Sequence, residues 1–269
     1  MAANKEPHYL CNDHLAARFT GPGDAGFEQN TVRSATRYGQ LFHDAGAEKY
    51  VGEASVYYLN FLDTAEKIRA LDGDSRVVMV LRNPVDRAYS AYMHLVRDGR
   101  EDLSFKDALA AEDQRRAAGY APLWWLRACG YYSSAVQHYI EVLGRDRVHV
   151  LLFEDVRSAK GVPSALWDFL DLAPAASTNA VHANPSGRPR SRVVYDLFAK
   201  PNLARSVARR FVPPAARRRL RQRAMRLQTE LLSEEGRQEL LKDYAAEIQA
   251  LEGVISRSLT HWFQPHTHP

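Results

Sequence analysis

Apolar and polar positions along the chain fall into blocks with two different periods. Val77–Leu81 is an unbroken apolar run that stops at Arg82-Asn83-Pro84, the pattern of a short buried strand ending in a turn. Pro84 biases Asn83 away from helical geometry, and Val85-Asp86-Arg87-Ala88 fits a helix that opens just after the turn. Strand, turn and helix together place Arg82 at the carboxyl end of a strand, where doubly wound sheets take their ligands. Ser90 follows two turns along the helix, within reach of the same anion. Residues 147–153, RVHVLLF, predict a second buried strand closed by Glu154-Asp155-Val156.

Helical spacing recurs in several blocks. It predicts a helix over residues 34–44 with Tyr38, Leu41 and Phe42 on its apolar side, and another opened by Ser104 as N-cap with Asp107 at the capping-box position. Val136, Tyr139, Ile140 and Leu143 mark a helix ending at Gly144, and residues 166–170 a short amphipathic one. The last helix is predicted over 233–258, with Leu240, Leu241, Tyr244, Ile248, Leu251 and Ile255 as its apolar stripe. Residues 21–30 and 184–192 read as loops rich in Gly, Pro and polar residues, and residues 4–10 as a strand-to-loop segment with Pro7 at an edge or turn.

Composition narrows the picture. The 269 residues, 45% of them hydrophobic, suit one globular domain over the whole chain. No apolar run approaches a membrane span and the N-terminus carries no hydrophobic signal region, so a cytoplasmic location is expected. Cys11 and Cys129 have no metal-ligand spacing with the ten histidines and are expected to be buried thiols, with no metal bound. Of the 36 basic residues, 7 are Lys and 29 are Arg, which favours planar, bidentate recognition of anions. The arginine-dense stretch 205–226 reads as a solvated helical face. Nucleic-acid binding is the sharper alternative, but no recognition motif accompanies the charge.

Several segments carry a resemblance. LRNPVDRAYSAY (81–92) resembles the LRxPxxRxxSxY segment of sulfotransferases that use 3′-phosphoadenosine 5′-phosphosulfate (PAPS). The resemblance implies that Arg82 and Ser90 hold the 3′-phosphate of PAPS and of the product 3′,5′-ADP. KEPHYL (5–10) is similar to the KExHFF-type segment of enzymes related to the heparan sulfate group, which makes Glu6 the implied catalytic base with His8 beside it. Sulfuryl transfer to a hydroxyl needs such a base within hydrogen-bond reach of the attacking oxygen. A carboxylate or an imidazole can serve, and Glu6 is placed ahead of His8.

Further matches follow the same family. GEASVYYL (52–59) is similar to GEASPxYL, with Val56 in place of proline and Ala54 where the heparan enzymes carry a lysine, which argues against a strongly anionic glycan acceptor. Tyr57 there, and Tyr131 and Tyr132 of a GxY-like element, are implied acceptor-binding residues. An ordinary strand with an aromatic face competes for Tyr57 and Tyr58, and a packed helix for Tyr131 and Tyr132. VLLFEDV (150–156) resembles VLxYEDL and places Phe153 against the adenine, an aromatic ring on a base. Arg188 and Arg190 lie in the loop from which family members reach the 3′-phosphate, and Trp262 matches a terminal Leu-x-x-Trp.

The implied fold is α/β, a P-loop-like three-layer arrangement with a mostly parallel sheet and a helical C-terminal part. The family's N-terminal strand and its KxGTTxL-type loop, which cradles the 5′-phosphosulfate, have no counterpart before KEPH. The chain is therefore expected to be an N-terminally truncated sulfotransferase with impaired turnover and an open sheet edge. The implied acceptor is a hydroxyl or amine of a carbohydrate or small molecule. A non-catalytic protein that binds nucleotide or acceptor is the alternative.

Overall fold

The computed structural model describes residues 1–158, 163–174, 188–189, 227–228 and 232–264. Arg190 and the arginine-dense stretch 205–226 lie outside the described residues. Strand β1 (Val77–Leu81) pairs in parallel with β2 (Val148–Leu152), Val77 opposite Val148 and Leu81 opposite Leu152, so the two carboxyl ends lie together. Phe153 opens a short helix, Phe153–Ser158, instead of ending the strand as its apolar run suggests. The reason is local: the Asp155 carboxylate accepts the Leu152 N–H at 2.9 Å and diverts the backbone from the ladder.

Parallel strands need a long crossover, and here it is helical. Helix α4 (Pro84–Arg97) buries Val85, Ala88, Tyr92 and Leu95, spaced by three and four. Helix α7 (Ser133–Leu143) buries Val136, Tyr139 and Leu143 and stops at Gly144, whose φ of 96° belongs to glycine. Between them the predicted cap is present: Ser104 Oγ accepts the Asp107 N–H at 3.2 Å and opens the helix Phe105–Ala110. A long C-terminal helix, α10 (Glu234–Ile255), is capped by Ser233 and lays Leu240, Leu241, Tyr244, Ile248 and Leu251 on the same core. Met79, Leu81, Val148 and Leu152 close that core from the sheet, with Trp124 and Trp262 fully buried beside them. Each such side chain contributes about 1.5–3 kcal/mol by leaving water. On the sheet's other face Val78 and Val80 are exposed, at 38% and 51%. Among the described residues β1 has β2 as its one neighbour.

The N-terminal part departs from its local pattern in four places. Residues 4–10 form no strand. Glu6 and His8 take left-handed φ values of 59° and 50°, and a 3₁₀ turn, Tyr9–Cys11, follows. A ladder is not available to this segment, because Pro7 has no N–H and the N–H groups of His8 and Leu10 are taken by the hydroxyls of Ser55 and Tyr58. Of the predicted loop 21–30, the last six residues are a helix, Ala25–Asn30. Asp24, just before it, is buried and accepts from Ala121 N and Trp124 Nε1. The helix predicted over 34–44 shortens to Ala35–Gln40, opened by Ser34. Tyr57 and Tyr58 sit on a 3₁₀ helix, Val56–Asn60, rather than a strand. In the predicted loop 184–192, Arg188–Pro189 pairs antiparallel with Leu227–Gln228, and its backbone lies against α4. Among the described residues no helix is long and apolar enough to cross a membrane.

Candidate active site

The parallel register brings the two strand-end motifs together. Arg82 follows β1 and Phe153 follows β2, and the Arg82 guanidinium lies over the Phe153 ring, 4.9 Å from its centroid. Burial lowers the proton affinity of Arg82, but a guanidinium stays charged. Among the described residues, no hydrogen bond or ion pair engages this guanidinium, and none engages the Ser90 hydroxyl on α4. A cation at a strand's carboxyl end, next to an aromatic face, is suited to a phosphate attached to a planar base.

The turn that aims Arg82 is held from several sides. Asn83 Oδ1 accepts from the N–H groups of Val85 (3.0 Å) and Asp86 (3.4 Å), and Pro84 occupies the first helical position. Asn83 Nδ2 donates to the Trp262 carbonyl at 2.9 Å, which also accepts from Arg237 Nη2 at 3.2 Å. Arg237 Nη1 pairs with Asp86 at 2.5 Å. The Trp262 indole N–H donates to Glu154 Oε1 at 2.6 Å. One C-terminal tryptophan thus ties the turn after β1 to the short helix after β2, a role its Leu-x-x-Trp spacing does not reveal.

A second cluster surrounds Glu6 and His8. A cavity of about 350 Å³ is lined by Asn4, Lys5, Glu6, His8, Phe27 and Asn30. His8 is only 2% exposed, stacked on Phe27 at 4.9 Å and tilted against Tyr57 at 5.3 Å. Burial pushes its pKa down to about 4, so the ring is neutral at neutral pH. The Glu6 side chain remains 30% exposed, and its Oε2 lies 3.7 Å from His8 Nε2, too long for a hydrogen bond.

Each cluster has a tyrosine nearby. Tyr57, whose phenol is pushed up chiefly by burial, lies within electrostatic reach of Arg87 and Glu6. Tyr132, also pushed up chiefly by burial, lies within reach of Arg87 and Arg82. Of the other acceptor-side residues, Tyr131 is exposed and packs on Tyr244 at 5.2 Å, while Tyr132 is part of the core. The side chain of Arg188 is outside the described residues. Asp13, His14 and Asp63 bring ligand atoms within 4.8 Å of one another. The Lys67 ammonium already sits 2.7 Å from Asp13 and 2.9 Å from Asp63.

A family profile described as "Sulfotransferase family" matches residues 4–175, a span that holds Glu6, His8, Arg82, Ser90 and Phe153. The chain belongs to the sulfotransferase family. A crystal structure of a sulfotransferase from Alicyclobacillus acidocaldarius is similar over 98% of this chain and 87% of that one, at 34% sequence identity and a TM-score of 0.75. No curated protein sequence matches at a comparable level. The fold of this sulfotransferase is thus that of its family, a mixed helix and sheet structure with a small parallel sheet and a helical C-terminal part. Neither Glu53 nor Ser55 stands out by residue type, yet in this sulfotransferase Ser55 accepts the His8 N–H in the segment that carries Glu6, and Glu53 accepts from the Ser55 hydroxyl. The signal was present in GEAS, where they are two residues apart.

Proposed function

We propose that the chain transfers a sulfuryl group from PAPS to a hydroxyl or amine of a carbohydrate or small-molecule acceptor. Arg82 and Ser90 hold the 3′-phosphate, Phe153 flanks the adenine, and Arg188 and Arg190 add charge from the following segment. The observation that carries this reading is the Arg82 guanidinium, half-buried at the end of β1 and stacked on Phe153 in a chain of this family. On the acceptor side, Glu6 opens to the cavity, whereas His8 is enclosed by rings. Glu6 therefore takes the proton as the acceptor oxygen attacks sulfur, the bond from sulfur to the 5′-phosphate oxygen breaks, and 3′,5′-ADP leaves. Neutral His8 packs beside it, and Tyr57 completes the acceptor wall. Tyr131 and Tyr132 belong to the proposal as the edge nearer α10 and the wall nearer Arg82.

The donor assignment is tested by calorimetry with 3′,5′-ADP. A charge-assisted contact is worth about 1.5–3 kcal/mol, so Arg82→Ala is expected to weaken binding by roughly one to two orders of magnitude. Unchanged affinity removes Arg82 from the site, and equal wild-type affinity for 5′-ADP removes the 3′-phosphate as the group that is read.

A further inference from the structure

The backbone carrying Glu6 and His8 is held by hydroxyl groups, and one carboxylate sets the direction of those hydroxyls. Glu53 accepts from Ser55 Oγ at 2.7 Å through Oε2, and from the hydroxyls of Tyr58 and, at 3.2 Å, Tyr38 through Oε1. A hydroxyl has one hydrogen to donate. With those hydrogens turned to Glu53, Ser55 Oγ and the Tyr58 oxygen present lone pairs to the chain. Ser55 accepts the His8 N–H at 3.0 Å, and Tyr58 accepts the Leu10 N–H at 3.2 Å. These two bonds hold the chain at His8 and at Leu10, directly after Glu6, and the left-handed φ values here, 59° at Glu6 and 50° at His8, are costly for side-chain-bearing residues and persist only when neighbours over-determine them.

We infer that Glu53 is the positioning residue of the catalytic segment: acting through Ser55 and Tyr58, it fixes the backbone that points Glu6 into the acceptor cavity. This rests on the reading of Glu6 as base. The direction of the hydrogens matters more than the bulk of the side chain. Glu53→Gln keeps the shape but replaces one acceptor oxygen with an NH₂ donor. A hydroxyl facing that donor must turn, and its hydrogen then opposes the N–H of His8 or Leu10.

The experiment measures amide exchange at His8 and Leu10 by NMR, affinity for 3′,5′-ADP, and turnover, in Glu53→Gln, Ser55→Ala, Glu6→Gln and the Glu53→Gln/Glu6→Gln double variant. Glu53→Gln is expected to speed exchange about fivefold at His8 or at Leu10, whichever hydroxyl faces the new NH₂, the worth of one lost hydrogen bond. Turnover is expected to fall about 10- to 100-fold, the effect of a small misplacement of a reacting group, with nucleotide affinity kept. In the Glu6→Gln background the same change should cost nothing further, because a base that is absent cannot be misplaced. Ser55→Ala, which cuts only the link to His8, should speed exchange at His8 and leave Leu10 protected, and it serves if Glu53→Gln does not fold. Unchanged exchange at both His8 and Leu10 in Glu53→Gln, or a Glu53 loss that multiplies in full with that of Glu6, overturns the positioning role. Full turnover by Glu6→Gln alone overturns instead the base on which that role rests, and it is recognised separately because the exchange measurement does not depend on chemistry.

Discussion

At the residue scale, the site separates two groups that are neighbours in sequence. Glu6 is partly solvated beside the cavity, while His8 is enclosed by Phe27 and Tyr57 and is neutral above a pKa of about 4. Glu6→Gln preserves size but cannot accept a proton, so turnover is expected to fall by about two to four orders of magnitude with 3′,5′-ADP affinity retained. A milder loss than that of His8→Ala would reverse the two roles. The buried imidazole also makes stability depend on pH. Its folded pKa lies below the unfolded value of about 6.5, so between these values the unfolded chain binds the extra proton and stability rises with pH. The contribution is complete above about 6.5 and is lost as pH falls toward 4, on the order of 3 kcal/mol in all. Urea denaturation at pH 4.5 and 7.5, for wild type and for His8→Phe, checks this: the variant should lose less stability on acidification. Equal losses would show that His8 is not the group responsible.

At the element scale, the strand-turn-helix unit around Arg82 is nearly all local chemistry. The apolar run, Asn83 as cap and Pro84 at the first helical position lie within eight residues and each favours the same geometry. The sequence reading therefore matched both elements. It missed what Asn83 does with its other end, because the partner carbonyl, on Trp262, is 179 residues away. Asn83→Ala removes the cap and the bond to Trp262 and should cost about 2 kcal/mol. Asn83→Ser restores the cap acceptor alone and should recover about 1 kcal/mol of that. Chemical denaturation of the two variants measures the difference, and equal destabilisation would mean that the cap contributes nothing. The N-terminal segment was less legible for the opposite reason. Its backbone bonds go to Ser55 and Tyr58, so no period within residues 4–10 encodes its shape.

At the scale of the whole molecule, α10 secures the turn after β1. Arg237 on that helix is buried, pairs with Asp86 at 2.5 Å and shares the Trp262 carbonyl with Asn83. Breaking a buried pair by removing one partner is strongly destabilising, so Arg237→Ala should cost about 3 kcal/mol. Thermal unfolding checks the stability, and 3′,5′-ADP titration should show weaker binding, because the turn that carries Arg82 loses its anchor. Unaltered unfolding would remove α10 from that role. The amino-acid sequence by itself determined β1, α4, α7, α10 and the resemblance to sulfotransferases, since periods, caps and short motifs are written within a few residues of one another. Only the tertiary structure decided that Phe153 lies against Arg82, that His8 is neutral, that Tyr132 faces the core and that Glu53 governs the Glu6 segment. Those properties depend on dielectric and on partners that the chain acquires when it closes: desolvation shifts the imidazole only once Phe27 and Tyr57 surround it, and the hydroxyls of Ser55 and Tyr58 meet the N–H groups of His8 and Leu10, 47 and 48 residues away along the chain, only once the chain has folded.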